Sequence, residues 1–296
     1  MKFKVLITEY IDPSGIEFLR NHDCEILYQE QWKDNEIIEK IADCQALIVR
    51  IAKITPEIID AAKKLQVIGK LGVGVDNIDV EYAAKKGIQV VNAPVATTNS
   101  VAEHIILSML YCAREIGVIQ KEFCEKGNFY IKDQRQAAME LEGKTLGLLG
   151  CGKIARVTAR KASQGLGMQV IAYSPSLRQD KVPKYIKVVS RADVFRLADF
   201  VSVNLPATAT TKGSIGSEEF AMMKDTAFFI NTARGSIVRE SDLVEAITKK
   251  KIAGAAIDVF EEEPPKTNNE LLHLPNVLAT PHSAAQTKEA RYRVSL

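Results

Sequence analysis

Residues 145–155 of the chain read TLGLLGCGKIA, an apolar run followed by two closely spaced glycines and, three residues after the second, an alanine. This spacing predicts a β-strand, a tight turn and the start of an α-helix. Gly150 permits the turn, Gly152 lets backbone N–H groups approach a ligand, and the small Ala155 allows close helix–strand packing. The spacing also occurs in ordinary turns, but the strands on either side favour a nucleotide site. Because a helix N-terminus attracts anions, we predict that a pyrophosphate is bound by Gly150, Gly152, Lys153 and Ile154.

The segment after the next predicted strand bears on which dinucleotide would bind. That strand ends at Tyr173, and Ser174 and Arg178 follow it. An acidic residue in place of Ser174 would bind the ribose hydroxyls of NAD and repel the 2′-phosphate of NADP. Serine removes that repulsion and arginine can bind a phosphate, although Arg178 also fits a solvated loop. The sequence therefore predicts NAD or NADP as cofactor and leaves the choice open.

Short β-branched runs alternate with helix-length amphipathic segments along the chain, which predicts parallel sheets covered by helices on both faces. The predicted strands are Val5–Thr8, Glu25–Tyr28, Ala46–Val49, Val67–Lys70, Val90–Asn92, Thr145–Leu149, Gln169–Tyr173, Phe200–Asn204, Ala227–Asn231 and Ala255–Val259. The predicted helices are Ile11–Asn21, Asp34–Ile41, Thr55–Ala62, Ile154–Gln164, Glu218–Met223, Ser241–Lys250 and Lys288–Val294.

One long apolar helical pattern, from Thr98 to about Ile116, interrupts this alternation. A polar stretch over residues 121–143 follows before the strands resume. The arrangement predicts two βα domains joined by a helix. A plain core helix would show the same pattern, but its place between two sheets favours a linker or a dimer contact.

The composition limits the class of protein and its partners. Hydrophobic residues make up 46% and charged residues 26% of the 296 residues, as in ordinary globular proteins. The 39 basic and 37 acidic residues are spread along the chain, so no basic patch indicates a nucleic-acid partner. The longest apolar runs, such as Ala253–Ile257, are too short to span a bilayer, and the charged N-terminus resembles a first strand rather than a signal peptide.

The five cysteines are an odd number and include no CxxC pair. No cluster of metal-binding residues accompanies them. This argues against a zinc site or a disulfide framework and predicts free thiols in the cytoplasm, a reducing compartment.

Three segments near the C-terminus each place a reactive side chain after a strand: NTARG at 231–235, DVFEEEP at 258–264 and TPHSAA at 280–285. Because the carboxyl ends of parallel strands converge on the ligand crevice, the three segments are predicted to share one site with the cofactor. Arginine binds a carboxylate, histidine moves a proton, and a carboxylate stabilises the charged histidine. Taken singly, a histidine after a strand is more often structural, and Glu261–Glu263 also fits a solvated turn.

Together these segments resemble the D-2-hydroxyacid dehydrogenases, and most closely their phosphoglycerate dehydrogenase branch. The resemblance covers nearly the whole chain, including LGVGVDNID at 71–79. It implies a flavodoxin-like substrate domain formed by residues 1–98 and 286–296, and a Rossmann-like NAD(P) domain formed by residues 99–285. The resemblance also implies a cleft between these doubly wound parallel-sheet domains, and a homodimer formed through the second domain.

The resemblance implies a role for each candidate residue. Arg234 becomes the substrate-orienting arginine, His282 the proton donor and acceptor, and Glu263 the carboxylate partner of His282. Asp258 matches the position that contacts the nicotinamide amide, and Thr232 is assigned to the same cofactor.

The same resemblance assigns the substrate contacts of the first domain. Its turn at Val73 and Gly74 matches the backbone that binds the substrate carboxylate. Arg50 matches an arginine that faces the far end of the substrate. The implied substrate is a small D-2-hydroxy or 2-keto acid with a polar or anionic group at C3, of the 3-phosphoglycerate, glycerate/hydroxypyruvate or sulfolactate type.

Three departures from the family pattern leave alternatives open. Ser174 replaces the acidic ribose-binding residue, and Ile51 replaces the small polar residue that usually follows the distal arginine. Family members commonly continue with a helix beyond Leu296, so the pattern predicts a C-terminus that is shortened here. The alternative functions are a nucleotide-sensing, corepressor-like binding module, whose N-terminal extension is not evident, and a phosphite-type dehydrogenase.

Overall fold

The computed structural model describes residues 2–30, 32–129 and 138–296. The chain divides into two compact units. The first comprises Met1–Thr98 and Gln286–Leu296, and the second comprises Asn99–Ala285.

Strands and helices alternate along both units. The strands are β1 Phe3–Ile7, β2 Cys24–Tyr28, β3 Ala46–Val49, β4 Val67–Lys70, β5 Gln89–Asn92, β6 Thr145–Leu149, β7 Gln169–Tyr173, β8 Ile186–Val188, β9 Phe200–Val203, β10 Phe228–Asn231, β11 Gly254–Ile257 and β12 Val277–Ala279. The helices are α1 Pro13–Asn21, α2 Asp34–Ile41, α3 Pro56–Ala61, α4 Val80–Lys85, α5 Thr98–Ala113, α6 Ile116–Gln120, α7 Lys153–Leu166, α8 Arg191–Leu197, α9 Ser217–Met222, α10 Glu240–Thr248 and α11 Lys288–Ser295.

The first unit contains a five-stranded parallel sheet in the order β2-β1-β3-β4-β5. This is the flavodoxin-like order, in which the strand order reverses between β1 and β3. The apolar clusters on its two faces centre on Leu6 and Leu47, and on Val5 and Ile7. Ligands of such sheets bind at the carboxyl ends of the strands beside the reversal.

The second unit contains a seven-stranded parallel sheet in the order β12-β11-β10-β9-β6-β7-β8. Every residue of β9, β10 and β11 is buried, as expected where helices cover both faces of a parallel sheet. The reversal of strand order lies between β6 and β9, which is the Rossmann-like position for a dinucleotide. The prediction of two doubly wound parallel sheets is therefore confirmed.

Helix α5 is a core element of the second unit. Val101, Ile105 and Met109 are buried in the cluster that also contains Leu146 and Leu148 of β6. The helix ends at Ala113, before the predicted Ile116, because Glu115 adopts a left-handed φ of 50° that a helix cannot continue through. A linker or dimer role for α5 stays a prediction.

The sequence patterns do not reveal strand β8 or helices α4 and α8. Strand β8 has three residues and pairs only along one side, at the edge of its sheet. Helices α4 and α8 have six and seven residues. Within the described residues we find no helix that combines the length and the hydrophobicity needed to cross a bilayer.

Candidate active site

The turn after β6 requires glycine at its first position because of its backbone conformation and its neighbours. Gly150 has a φ of +93°, and its amide donates to the Tyr173 carbonyl oxygen at 2.7 Å. A Cβ atom at Gly150 would lie 2.5 Å from the Asn204 carbonyl oxygen. Any side chain here would be both strained and in collision, so Gly150 shapes the turn.

Gly152 differs, because nothing in the described protein requires it. Its φ of −76° is open to any residue, and a Cβ atom there would have no described neighbour within 4 Å. Gly152 is the N-cap of the 14-residue helix α7, and no described side chain caps that helix. Lys153 is exposed and Ile154 half-buried at its first turn. The open, uncapped helix N-terminus fits a pyrophosphate, which the first-turn amides would bind.

The loop that is predicted to choose between NAD and NADP begins at Ser174, directly after β7. Ser174 is half-buried, and Arg178 is exposed. Arg178 Nε lies 3.2 Å from Asp180 Oδ1, with 77% of the arginine side chain in solvent. An exposed pair of this kind contributes little stability, so its arginine can exchange partners at low cost.

The register of the sheet places the starts of the three reactive loops side by side. Asn231 pairs with Ile257, and Ile257 pairs with Ala279, so β10, β11 and β12 end at the same height. The loops that begin at Thr232, Asp258 and Thr280 therefore leave one edge of the sheet together. Thr232, like Arg234, is half-buried.

Asp258 holds the backbone of the loop that carries His282. Its carbonyl oxygen accepts the His282 amide at 2.8 Å, and its carboxylate accepts the Ser283 amide at 2.8 Å and the Ala284 amide at 2.9 Å. The carboxylate also accepts the Thr280 hydroxyl at 2.6 Å. Asp258 is 2% exposed. Its assigned contact with a nicotinamide amide stays a prediction.

These hydrogen bonds compensate for an unfavourable backbone conformation. His282 has a φ of 49°, in the left-handed region, which costs a residue with a side chain about 1–2 kcal/mol. A hydrogen bond to a charged group contributes about 1.5–3 kcal/mol. The two amide hydrogen bonds to the Asp258 carboxylate are enough to outweigh this cost. Asp258 therefore stabilises the left-handed conformation of His282.

The imidazole of His282 is paired with a carboxylate. Its Nδ1 atom lies 2.8 Å from Glu263 Oε2, and Glu263 Oε1 accepts the Phe260 amide at 3.1 Å. Burial alone would raise the pKa of Glu263. The hydrogen bond and charge of His282, the Phe260 amide and the charge of Arg234 outweigh burial, so the pKa of Glu263 lies below its ordinary value. The structure thus groups Glu263, His282 and Arg234 as the sequence predicts.

The arginine loop is fixed by Asn231 and by a glycine. The Asn231 side-chain amide donates to the Arg234 carbonyl oxygen, and its Oδ1 accepts the Ala233 amide, both at 3.0 Å. A Cβ atom at Gly235 would lie 1.9 Å from the Phe260 carbonyl oxygen. Only glycine lets the Arg234 loop lie directly against the loop that carries Glu263.

The first unit places Arg50 at its own topological reversal. Arg50 directly follows β3. Within the described residues, its guanidinium forms no ion pair and no hydrogen bond. Glu9, which follows β1, accepts the amides of Arg50 and Ile51 at 2.8 Å each, and also the Ala52 amide. The backbone amides of this loop are therefore already occupied by a carboxylate.

Val73, which is exposed, and Gly74, which is half-buried, lie in a loop of the same unit. The Asn92 side chain donates to the Val73 carbonyl oxygen at 2.6 Å, which holds the turn. Within the described residues, the amides of Val73 and Gly74 have no hydrogen-bond partner. Two adjacent unpaired amides are suited to a carboxylate.

Sequence reasoning misses two residues that organise these loops, Glu9 and His104. His104 lies in α5 with its Nε2 atom 3.3 Å from Thr280 Oγ1. Its one sequence signal is a histidine within the buried face of an apolar helix. Glu9 gives no signal, because its amide partners lie more than 40 residues away along the chain.

Comparison with known proteins identifies the family of the second unit. Residues 106–284 match the family described as D-isomer specific 2-hydroxyacid dehydrogenase, NAD binding domain. The matched region contains the Gly150 turn, the Arg234 loop, Glu263 and His282. Within the described residues, we find no group of three or more His, Cys, Asp or Glu side chains arranged to hold a metal ion.

Individual proteins match over the whole chain. The D-3-phosphoglycerate dehydrogenase of Archaeoglobus fulgidus is 40% identical over 99% of this chain and 55% of its own length. The hydroxypyruvate reductase of Thermotoga maritima is 38% identical over 100% of this chain and 95% of its own length. An acyclic imino acid reductase solved with NADPH and D-Arg superposes with a TM-score of 0.88 at 28% identity, covering 100% of this chain and 94% of that one. The chain spans about half the length of the phosphoglycerate dehydrogenases that it matches.

Proposed function

Because the chain belongs to the D-isomer specific 2-hydroxyacid dehydrogenases, we propose that it transfers a hydride between NAD(P)(H) and C2 of a small D-2-hydroxy or 2-keto acid. The observation that carries this proposal is the hydrogen-bonded pair of His282 and Glu263 beside Arg234. A histidine backed by a carboxylate can move the proton that accompanies a hydride, and an arginine can bind the substrate's carboxylate and carbonyl groups.

The proton is assigned to His282. In the reductive direction, its imidazolium gives a proton to the developing alkoxide at C2, and in the oxidative direction the neutral ring accepts the hydroxyl proton. Because Glu263 engages Nδ1, the exchange with substrate uses Nε2. Glu263, ionised through its lowered pKa, stabilises the charged imidazole. The nicotinamide, when bound, supplies or accepts the hydride.

The substrate carboxylate is assigned to Arg234 and to the backbone of Val73 and Gly74. The Arg234 backbone is fixed by Asn231, and its Nη1 atom donates to the Ala233 carbonyl oxygen at 2.6 Å. The support for Val73 and Gly74 is their pair of unpaired amides among the described residues. Charge-assisted hydrogen bonds to a carboxylate are short and strong, which suits both groups to orient a 2-keto acid.

The C3 substituent is assigned to Arg50. Glu9 occupies the neighbouring backbone amides, so recognition of a polar or anionic C3 group falls to the Arg50 guanidinium. We rank hydroxypyruvate and an anionic phospho- or sulfo-pyruvate relative equally. Ile51, which is 71% exposed beside Arg50, offers an anion no hydrogen bond from its side chain.

For the cofactor, we propose that NADPH is used at least as well as NADH. Ser174 carries no charge to repel a 2′-phosphate, and the exposed Arg178 can exchange its partner Asp180 for that phosphate. The family match to an NAD binding domain and the NADPH bound to the imino acid reductase support a nicotinamide dinucleotide in either case.

We also propose a homodimer formed through the dinucleotide-binding unit. Large apolar side chains of α5 and the segment after it lie exposed on one unit: Leu107, Leu110, Ile116, Phe123 and Phe129. The rings of Phe123 and Phe129 contact each other, with centroids 6.0 Å apart, and exposed apolar patches are typical of protein–protein contacts. Sedimentation equilibrium measures the mass directly, and a monomer at all concentrations would contradict the proposal.

The proposed activity is tested by a panel of 2-keto acids with NADH and NADPH, followed at the nicotinamide absorbance. The panel includes pyruvate, hydroxypyruvate and phosphohydroxypyruvate, with phosphite and NAD(P) as a separate arm. His282→Ala should lower kcat by roughly a hundredfold or more with little change in cofactor affinity. The matched control, His273→Ala, changes an exposed histidine that contacts Thr267 and should retain full activity.

The panel also separates the alternatives. Oxidation of phosphite without turnover of any keto acid would replace the proposal by a phosphite-type dehydrogenase. Dinucleotide binding without any turnover would indicate a corepressor-like binding module. The relatives compared above are named as dehydrogenases or reductases, which does not favour that module.

A further inference from the structure

His104 is a polar side chain within the buried face of α5. Its neighbours on that face, Val101 and Ile105, are buried, and 13% of the His104 side chain is exposed. Its Nε2 atom lies 3.3 Å from Thr280 Oγ1 and 4.0 Å from Asp258 Oδ1. Burial lowers the pKa of His104 below its ordinary value, although the Asp258 carboxylate acts in the opposite direction. The site therefore favours the neutral ring.

The hydrogen bonds of Thr280 determine which ring nitrogen carries the proton. A threonine hydroxyl has one proton to donate, and an ionised carboxylate can only accept. Thr280 Oγ1 lies 2.6 Å from Asp258 Oδ1, so the hydroxyl proton goes to Asp258. The contact between Thr280 and His104 must then have the histidine as donor. The ring is consequently the tautomer protonated at Nε2.

We propose that His104 is a positioning residue that holds His282 in place through a relay of Thr280 and Asp258. The relay runs from the His104 ring to the Thr280 hydroxyl, from that hydroxyl to the Asp258 carboxylate, and from Asp258 to the 282–284 amides. Its effect on turnover rests on the proposed function of His282, whereas its geometry does not.

The relay matters because of the conformation that it maintains. His282 has a left-handed φ of 49°, and the hydrogen bonds of Asp258 offset the cost of that conformation. Rotation of the Asp258 carboxylate would release the Ser283 and Ala284 amides. The Thr280 hydroxyl prevents that rotation, and His104 prevents the hydroxyl from turning away. A displacement of about 1 Å at a catalytic group can cost roughly a hundredfold in rate.

The kinetic test uses matched substitutions at both ends of the relay. Thr280→Val removes the hydroxyl and keeps the shape, Thr280→Ser keeps the hydroxyl, and His104→Phe removes the donor and keeps a ring. Thr280→Val and His104→Phe should each lower kcat about tenfold in protein that remains folded. Thr280→Ser should stay within about twofold of wild type. The double variant should lose no more than Thr280→Val alone, because both substitutions break the same chain.

A wild-type kcat in His104→Phe would overturn the proposal. Equal losses in Thr280→Ser and Thr280→Val would also overturn it, because the methyl group rather than the hydroxyl would then matter. Losses that multiply in the double variant would show that His104 does not act through Thr280.

Two measurements need no turnover and so separate this proposal from the proposed function. Nitrogen NMR of the wild-type protein should show His104 neutral and protonated at Nε2, and protonation at Nδ1 alone would contradict the relay. Amide hydrogen exchange at Ser283 and Ala284 should be faster in Thr280→Val than in Thr280→Ser. If these results hold while no keto acid is turned over, the relay stands and the proposed function fails.

Discussion

The Nδ1 atom of His282 and the Oε2 atom of Glu263 lie 2.8 Å apart, although the two residues belong to different loops of the sheet. Glycine at 235 allows the Arg234 loop to lie against the Glu263 loop, and Asp258 holds the loop of His282. The pair is therefore set by backbone contacts that do not depend on a bound substrate.

The first prediction concerns the charge of Glu263. Glu263→Gln keeps the size of the side chain and removes the charge that stabilises a protonated His282, so kcat should fall about tenfold or more. The matched control Glu262→Gln changes a neighbouring exposed glutamate, which pairs with Lys266 on the surface, and should have no effect. Steady-state kinetics across the pH range measures both variants.

The same residue predicts a pH dependence of stability. The folded-state pKa of Glu263 is lowered, so its ionised form stabilises the fold above the ordinary value of 4.5. That contribution is lost as the pH falls through the lower folded-state pKa. Urea unfolding should show wild type more stable than Glu263→Gln at neutral pH, with the difference vanishing in acid. A difference that grows in acid would contradict the assignment.

The second prediction separates the two glycines of the phosphate-binding turn. Gly152→Ala fits the protein, so its melting temperature should match wild type, while the methyl group blocks the pyrophosphate and weakens dinucleotide binding about tenfold. Gly150→Ala should instead destabilise the fold, by about 1–2 kcal/mol from the positive φ alone. Titration calorimetry and thermal unfolding measure the two effects. Unchanged dinucleotide affinity in Gly152→Ala would remove this turn from the cofactor site.

The third prediction concerns cofactor choice. Ser174→Asp restores a negative charge beside the ribose and should shift the preference towards NADH by about tenfold or more, because like charges repel. Arg178→Ala should raise KM for NADPH and leave KM for NADH unchanged. Side-by-side kinetics with both cofactors gives the result. A wild-type protein that does not use NADPH would contradict the roles proposed for Ser174 and Arg178.

The fourth prediction concerns the distal end of the substrate. Arg50→Ala should lower kcat/KM for an anionic 2-keto acid by roughly 10–100-fold, equivalent to about 1.5–3 kcal/mol, and leave pyruvate little changed. Arg20→Ala, an exposed arginine of α1, is the control. Equal losses on the anionic substrate and on pyruvate would show that Arg50 does not recognise the C3 group.

The sequence predicts the parts of the site that depend on residues close together in the chain. The Gly150 turn and the Arg234, Glu263 and His282 loops each follow an apolar strand, and strand ends of a parallel sheet meet at one edge. The contacts of Glu9 and His104 could not be predicted in this way. Glu9 and His104 each contact residues far away in the chain, and which of these groups meet is decided by the folded structure.

The structure also gives contacts of single residues that the sequence pattern does not specify. Asp258 follows a strand as predicted, but its carboxylate points at the backbone of the His282 loop, which no sequence pattern specifies. The sequence spacing assigns Gly150 to the turn and Gly152 to the approach of a ligand. The structure adds that a Cβ atom at Gly150 would collide with the Asn204 carbonyl oxygen, whereas a Cβ atom at Gly152 would have no described neighbour within 4 Å.

The most direct test of the central claim follows the hydride itself. The protein is incubated with a turned-over 2-keto acid and NAD(P)H that carries deuterium at both positions of C4 of the nicotinamide, and the product is analysed by mass spectrometry and chiral chromatography. We predict a D-2-hydroxy acid that carries deuterium at C2. A product without deuterium at C2, or one of the L configuration, would contradict the account.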